Sequence, residues 1–425
     1  MLSKFIESIP YGDDFLIFNV LKPVPILLSN EQFHSLKNNK INGFLESDLN
    51  DLKISHCLPA EDSNELLEEA FIKVKKMLEF PRIIYVTTTL NCNSSCEFCI
   101  VPSRSHEIKN KVLATEDMRT GLMLINSFFE KYHPVNTEPV TIVFYGGEPL
   151  MNIGVIKETI KFVRSTKTEL FNRVKFHLCT NGYLLDLETI SFLKSEGVSI
   201  TVAFEPLRAV HNIYRSNYLN VYNSILECLR VGINTSLSIA MVPESISQIS
   251  NIIDVIDNIG LTSFGFNFIR GSYLNKKLVD VDQYADSLVS ELSKQFDRLI
   301  GREYQITKRY KMIESRNPMS IDCTCYGNQF VIFPDGTIGN CPFETSGTCN
   351  PTESNSIDSL IKTKNRWTGH ILSEELFTNK ETFGFGGGCY WGALDGKQSC
   401  DVVTKKINQL LMKALVMYFF TNKNE

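Results

Sequence analysis

Short apolar runs alternate with amphipathic stretches from residue 82 to about residue 270. The apolar runs predict strands at 83–88, 139–144, 174–178, 199–203, 235–241 and 263–268. Apolar positions at helical spacing predict helices at 115–132, 155–165, 185–196, 218–231 and 246–259. Strands and helices that alternate in this order indicate a parallel sheet with right-handed crossovers, so we predict an α/β fold.

The first 80 residues show a different pattern. Apolar runs predict two paired strands at 14–20 and 25–29, and helical spacing predicts helices at 30–36, capped by Asn30, and at 63–78. The mixed acidic and apolar stretch at 45–52 is not assigned. We therefore predict a small α+β domain over residues 1–80, ahead of an α/β domain over residues 81–300.

After the α/β pattern, residues 280–300 predict one long helix that leaves the sheet. The composition then shifts towards cysteine and glycine. The apolar run at 330–338 is interrupted by Pro334-Asp335-Gly336, which predicts a β-hairpin with a tight turn. An amphipathic helix is predicted at 403–419. These features define a third predicted domain over residues 301–425.

The composition excludes several classes of function. The chain has 425 residues with 43% apolar content, which suits two or three globular domains. A net charge of −5 argues against nucleic acid as a main partner, because phosphate binding needs a basic field. The apolar run at 410–420 contains Lys413 and is too short to span a membrane. With no signal-peptide core at the start, we expect a protein of the reducing cytoplasm.

Three cysteines with the spacing C-x3-C-x2-C follow the first strand of the α/β pattern. Cys92, Cys96 and Cys99 cannot all pair as disulfides, but they can hold three irons of a 4Fe–4S cluster and leave the fourth iron open. A zinc knuckle is the alternative, and it normally needs a fourth ligand close by. No Cys or His follows until His106. The spacing therefore favours an iron–sulfur cluster with one open iron.

Cys92-x3-Cys96-Glu97-Phe98-Cys99, with an aromatic residue before the third cysteine, resembles the signature of the radical S-adenosylmethionine (SAM) enzymes. The resemblance covers residues 82–270. It implies a partial (β/α)6 TIM barrel whose chemistry lies at the carboxyl ends of the strands. It also implies that SAM chelates the open iron and is cleaved reductively to methionine and a 5′-deoxyadenosyl radical. That radical then abstracts hydrogen from the substrate.

Further motifs follow later strands in the order that the resemblance requires. Gly146-Gly147-Glu148-Pro149 resembles the family's GGEP motif, which implies that it holds the SAM amino group; Asn181, in Thr-Asn-Gly, is similar to a turn beside SAM. Glu205 stands where relatives usually have Asp. Arg215 is a candidate for binding a carboxylate, with a structural ion pair as the alternative. We expect His211 to be structural rather than a general base.

The cysteines of the last domain resemble the opening of a SPASM/twitch auxiliary-cluster domain. Cys325, Gly336 and Cys341 match its C-x9–15-G-x4-C pattern, and the predicted hairpin would bring the two cysteines to the same end. Cys389 lies in a sequence similar to the family's GGGC element. The remaining candidate ligands are Cys323, Cys349 and Cys400. We expect one auxiliary iron–sulfur cluster, because too few cysteines remain for two; a structural zinc is the alternative.

Taken together, the motifs resemble those of SPASM-type maturases of ribosomally made peptides. The resemblance implies a precursor peptide as substrate, a thioether or carbon–carbon crosslink as product, and a reductant such as flavodoxin or ferredoxin. Residues 1–80 would recognise the leader peptide as an added strand, or form only a structural lid. The alternatives are a small molecule, a folded protein as in sulfatase maturation, or an iron–sulfur redox protein without turnover. Pro342 argues against sulfatase maturation, because sulfatase-maturating relatives have Asp at this position.

Overall fold

The computed structural model describes most of the chain and divides it into two compact units. It describes residues 2–41, 44–58, 61–99, 101, 111–269, 271–316, 323–366, 368, 372 and 399–423. The first unit joins residues 1–77, 270–323 and 370–425, and the second joins residues 78–269 and 324–369. The functional domains 1–80, 81–300 and 301–425 stay predictions.

The helices and strands are numbered along the chain. The strands are β1 (Ile6–Tyr11), β2 (Asp14–Asn19), β3 (Lys22–Leu28), β4 (Ile83–Thr89), β5 (Val140–Gly146), β6 (Val174–Thr180), β7 (Ser199–Ala203), β8 (Thr235–Met241), β9 (Phe264–Phe268), β10 (Gln329–Ile332) and β11 (Ile338–Gly339). The α-helices are α1 (Asn30–Lys37), α2 (Glu46–Ile54), α3 (Glu61–Glu79), α4 (Thr115–Tyr132), α5 (Ile153–Ser165), α6 (Leu187–Ser195), α7 (Arg208–Tyr214), α8 (Tyr218–Arg230), α9 (Pro243–Ile246), α10 (Ile249–Ile259), α11 (Gly271–Lys276), α12 (Val281–Ser293), α13 (Phe296–Leu299), α14 (Tyr304–Ser315), α15 (Ser356–Asn365) and α16 (Ser399–Lys423).

The second unit is built on an eight-stranded sheet in the order β11-β10-β4-β5-β6-β7-β8-β9. Strands β4 to β9 are parallel neighbours in chain order, which confirms the predicted partial barrel of βα units. Buried residues alternate with half-buried ones along much of these strands, as in β8, where Leu237 and Ile239 alternate with half-buried serines. The carboxyl ends of all six strands therefore meet at one edge.

The predicted hairpin of β10 and β11 extends the barrel sheet. Strand β10 runs parallel to β4, and Gln329 lies opposite Ile83 at the amino end of β4. The backbone N–H of Arg82 also donates to the carbonyl of Asn328 over 2.9 Å. The hairpin is thus bonded directly to the strand that leads into the cysteine loop.

The first unit contains a three-stranded antiparallel sheet in the order β1-β2-β3. Helices α1 and α2 contribute Phe33, Leu36 and Leu52 to a core with Ile17 and Leu28 of the sheet. Helix α16 contacts β1 and β3 as well as α11, α12 and α14. The N-terminal sheet therefore shares its packing with helices that come much later in the chain.

Several sequence predictions in this unit were wrong in detail. Strand β1 and helix α2 were not predicted. Ser29, not Asn30, caps α1: its hydroxyl accepts from the backbone N–H of Gln32, which completes a capping box. The predicted helix at 280–300 is two helices, because the chain leaves helical geometry at Gln295 and Phe296 packs against Tyr418 of α16.

The strand pair predicted at 14–20 and 25–29 is present as β2 and β3. Its register shifts between Ile17 and Asn19, opposite the part of β3 that contains Pro23 and Pro25. Within the part of the chain that the structure describes, every helix is too short or too polar to cross a membrane.

Candidate active site

The cysteine loop, residues 90–99, follows Thr89, the last residue of β4, at the carboxyl edge of the sheet. Cys96 is buried, whereas Cys92 is half-buried and Cys99 is exposed. The backbone N–H of Cys99 donates to the carbonyl of Cys96 over 3.2 Å, which turns the end of the loop. Among the described residues, no three His, Cys, Asp or Glu side chains converge closely enough to ligate one metal ion. Whether the loop fits a cluster is therefore judged from the partners of its sulfur atoms.

Those partners are hydrogen-bond donors. The backbone N–H of Ser94 donates to Sγ of Cys92 over 3.4 Å, and Nδ2 of Asn181 donates to the same sulfur over 3.8 Å. Nη1 of Arg215 donates to Sγ of Cys96 over 3.4 Å. A guanidinium directed at sulfur is the partner expected of a thiolate ligand, and donors to sulfur are common around iron–sulfur clusters. The loop therefore fits the predicted cluster by its donor set.

Two glycines let the end of β5 lie against the start of the cysteine loop. A Cβ on Gly146 would lie 2.1 Å from the carbonyl oxygen of Thr89, and a Cβ on Gly147 would lie 2.2 Å from that of Asn91. The close contact permits backbone hydrogen bonds from Gly147 to Thr89 over 2.9 Å and from Glu148 to Asn91 over 2.8 Å. In this structure the GGEP glycines thus serve the docking of two strand ends.

Glu148 joins the ends of β5 and β6. Its side chain is fully buried, and its carboxylate accepts from the hydroxyl of Thr180 over 2.7 Å and from the backbone N–H groups of Asn181 and Leu150 over 2.7 and 3.1 Å. Burial raises the pKa of Glu148 to about 7, although the three hydrogen bonds act in the opposite direction. Pro149 follows, and its carbonyl accepts from the hydroxyl of Thr88 over 3.1 Å.

Asn181 links the end of β6 to the cysteine loop. Besides its contact with Cys92, its Nδ2 donates to Oδ1 of Asn93 over 2.7 Å. Its own Oδ1 accepts from the backbone N–H of Tyr183 over 3.0 Å, which fixes the turn that contains Gly182. The Asn side chain is thereby oriented at both ends.

Arg215 and Glu205 form a buried pair next to Cys96. Nε of Arg215 donates to Oε2 of Glu205 over 2.6 Å, and the guanidinium carbon lies 5.2 Å from the ring centroid of Phe98. The pair is largely out of solvent, with side-chain exposures of 10% for Arg215 and 2% for Glu205. Arg215 therefore forms the structural ion pair that the sequence left as an alternative. Its guanidinium also contacts Cys96, which is a predicted metal ligand.

His211 is fully buried and fixes the backbone that carries Arg215. Its Nδ1 accepts from the backbone N–H of Glu205 over 3.3 Å, and its Nε2 donates to the carbonyl of Ser216 over 2.9 Å. Burial lowers the pKa of His211, so the neutral form with the proton on Nε2 accounts for both contacts. The ring thus has a structural role in this arrangement.

Sequence reasoning missed Tyr183 and Ser216. The hydroxyl of Tyr183 donates to the carbonyl of Ser216 over 3.0 Å. Ser216 and the following Asn217 both have positive φ, at 96° and 56°, which is uncommon for residues other than glycine. The sequence marks this turn only weakly: Asn217 is a residue type that tolerates a left-handed backbone, but Ser216 is not the glycine that a φ of 96° favours.

The structure brings the predicted SAM-binding residues together around the cysteine loop. Six of these residues contact the loop or the last residues of β4: Gly146, Gly147, Glu148, Pro149, Asn181 and Arg215. Glu205 is connected to the loop through Arg215. Their contacts with SAM stay predictions.

The structure describes some of the candidate cluster ligands between residues 301 and 425. Cys325 and Cys341 are both buried, and they flank the hairpin at the same end, where Nδ2 of Asn340 donates to the carbonyl of Cys325 over 3.0 Å. This is the end of the hairpin beside the amino end of β4, opposite the cysteine loop. Cys349 is buried, and its thiol donates to the carbonyl of Ser356 over 3.5 Å.

The other cysteines of this region are less informative. Cys323 is half-buried just before the hairpin. Cys389, with its Gly-Gly-Gly segment, lies outside the described residues, and so does the side chain of Cys400. The number and complete ligand set of auxiliary clusters therefore stay predictions.

Comparison with known proteins defines the class. Residues 86–256 match the radical SAM superfamily. This part of the chain is therefore a radical SAM domain, in agreement with the cysteine loop and the partial barrel. Such a domain uses a 4Fe–4S cluster and SAM.

Particular relatives extend over more of the chain. The radical SAM cyclopropyl synthase TigE of Paramaledivibacter caminithermalis is 22% identical over 464 aligned positions, covering 97% of this chain and 95% of that protein. The structure of anSMEcpe with bound AdoMet has a TM-score of 0.62 at 17% identity and covers 80% of this chain and 98% of that one. SuiB of Streptococcus suis, bound to its precursor peptide SuiA, has a TM-score of 0.53 at 16% identity and covers 95% of this chain and 99% of that one. The two structures establish likeness of fold.

Proposed function

We propose that this radical SAM enzyme acts on a ribosomally made precursor peptide and forms a carbon–carbon or thioether bond within it. The observation that carries the bond-forming part of the proposal is the match to the radical SAM cyclopropyl synthase TigE over nearly the whole of both chains. The name of that relative favours carbon–carbon bond formation that closes a small ring. The folds of SuiB, bound to a precursor peptide, and of anSMEcpe, bound to a peptide in a related structure, support the same substrate class.

Cys92, Cys96 and Cys99 would hold the cluster, which supplies the electron that cleaves SAM when both are bound. The chain's own contribution is placement. Gly147 and Glu148 fasten β5 to the loop, and Asn181 and Arg215 direct hydrogen bonds at its sulfur atoms. Reduction of the cluster by a flavodoxin or ferredoxin in the cytoplasm is part of the proposal, since none of the described cysteines forms a disulfide.

Cys325 and Cys341, with Cys389, would hold an auxiliary cluster. Forming the new bond removes two hydrogen atoms from the peptide, and the radical accounts for only one of them. The second hydrogen would leave as a proton, released to solvent, and an electron, which an auxiliary cluster would accept. The buried position of Cys325 and Cys341 at one end of the hairpin supports this assignment.

The N-terminal sheet would bind the leader peptide as an added strand, a common mode of peptide recognition. Pro23 and Pro25 remove N–H donors from the first half of β3, so we place the peptide on its second half, where Leu27 is exposed. Deleting residues 1–80 is a poor test, because helices α14 and α16 would lose the sheet they pack against. Leu27→Lys should instead weaken leader binding by the full chain, whereas Ile54→Lys, exposed on α2, should not.

The activity is tested with anaerobically reconstituted full-length protein, SAM and a reductant. Wild type should release 5′-deoxyadenosine, and Cys96→Ala should not. With a peptide encoded by a neighbouring short gene, the product should lose two hydrogen atoms. Alkylation of its cysteines then separates the bonds, because a thioether consumes a thiol and a carbon–carbon bond does not. A fully loaded enzyme that leaves every such peptide unchanged, but modifies a small molecule or folded protein, would overturn the peptide assignment.

A further inference from the structure

The guanidinium of Arg215 lies between a carboxylate and a predicted cluster ligand. Nε donates to Oε2 of Glu205 over 2.6 Å, while Nη1 donates to Sγ of Cys96 over 3.4 Å. Oε1 of Glu205 accepts from the backbone N–H of Ala240 over 3.3 Å. The cation is therefore shared by two groups, only one of which belongs to the cysteine loop.

The surroundings hold this guanidinium in place. It packs over the ring of Phe98, and that ring in turn contacts Tyr214 at 5.4 Å between centroids. The carbonyl of Ser216, directly after Arg215, accepts from both His211 and Tyr183. The Arg215 side chain, which is otherwise long and flexible, is thus fixed by contacts of its guanidinium and by the hydrogen-bonded backbone next to it.

We propose that Arg215 is a positioning residue that raises the reduction potential of the SAM cluster by hydrogen bonding to the Cys96 thiolate, and that Glu205 limits this effect. The inference rests on the proposed cluster at Cys92, Cys96 and Cys99. Reduction adds one negative charge to the cluster, so a nearby cation stabilises the reduced form and a nearby anion opposes it. Because both side chains are shielded from water, solvent screens these interactions only weakly.

The pair therefore makes predictions of opposite sign. Arg215→Gln removes the cation and should lower the equilibrium constant for reducing the cluster about tenfold, which is about 59 mV for a one-electron couple. Glu205→Gln leaves the guanidinium without its counter-charge and should shift the potential in the positive direction. Arg215→Lys keeps the charge and should recover part of the loss. Arg208→Gln, exposed at the start of α7, changes the net charge equally and should have no effect.

The measurement is a potentiometric titration of the SAM-free cluster in the full chain, followed by electron paramagnetic resonance. Iron per chain is determined first, and the affinity for SAM is measured separately. If Arg215 serves only to bind the SAM carboxylate, Arg215→Gln weakens SAM binding and leaves the potential unchanged, which overturns the proposal. If Arg215→Gln fails to assemble a cluster, an unchanged potential in Glu205→Gln overturns it equally. A wild type that binds no iron at the loop refutes the proposed function instead.

Discussion

The contact between Gly147 and the cysteine loop makes a quantitative prediction. In Gly147→Ala the new Cβ would lie 2.2 Å from the carbonyl oxygen of Asn91 and 2.7 Å from that of Leu90. Both obstacles are backbone atoms, so the loop must move away from β5. The movement breaks the backbone hydrogen bonds from Gly147 to Thr89 and from Glu148 to Asn91. At about 1 kcal/mol each, the local cost is about 2 kcal/mol.

Hydrogen–deuterium exchange of the metal-free protein measures this cost directly. Because every 1.4 kcal/mol is about a tenfold change in an equilibrium, the amides at positions 147 and 148 should exchange about 30-fold faster in Gly147→Ala. The displaced loop should also take up less iron on reconstitution. Amide exchange detects the loop displacement through the backbone, and iron uptake detects it through the positions of the thiols.

Gly154→Ala is the matched control. Gly154 lies near the start of α5, and a Cβ there would meet no atom within 4 Å. Alanine is the better helix former by about 0.5–1 kcal/mol, so this variant should be as stable as wild type or slightly more stable. Equal exchange rates at positions 147 and 148 in the two variants would show that the strand ends do not depend on this close contact.

Two further predictions concern the buried carboxylate and the hairpin. Glu148→Gln should lower the free energy of unfolding by about 1–3 kcal/mol in urea titrations, because one amide oxygen cannot serve three donors. Since burial raises the pKa of Glu148 from 4.5 to about 7, its favourable contribution is complete at low pH and is lost as the pH rises through 7. The advantage of wild type over Glu148→Gln should thus fall by about 3 kcal/mol between about pH 4.5 and about pH 7 and change little at higher pH, and a constant difference would contradict this. Cys325→Ala should lower the iron content from about eight to about four per chain, whereas Cys349→Ala should not, because the Cys349 thiol donates to Ser356; equal loss in both variants would contradict this.

The sequence indicates the barrel strands well because each is a short apolar run between helices of regular spacing. β7 and β8 begin and end at the predicted residues. β1 escaped prediction because its apolar residues, Ile6 and Ile9, do not alternate and Pro10 follows them. The break before α13 arises from packing against α16, which is distant in sequence.

The candidate site was predicted by residue identity but not by contact. The motifs named Gly147, Glu148 and Asn181, yet the network that joins them depends on how neighbouring strands meet. Arg215 and Cys96 are 119 positions apart, and no local pattern connects a guanidinium to a thiol over that distance. Short motifs specify backbone turns, whereas partners across the sheet require the fold.

The pairing of β10 with β4 separates the two groups of sulfur atoms by the length of a strand. β4 spans seven residues, which corresponds to about 20 Å, and the hairpin cysteines and the cysteine loop lie beyond its opposite ends. A peptide that reached from the hairpin cysteines to the cysteine loop would therefore need at least about six extended residues. A peptide with a shorter spacer should contact the hairpin cysteines and the cysteine loop one at a time. The number of residues between modified positions would therefore report whether the substrate contacts both groups of cysteines at once.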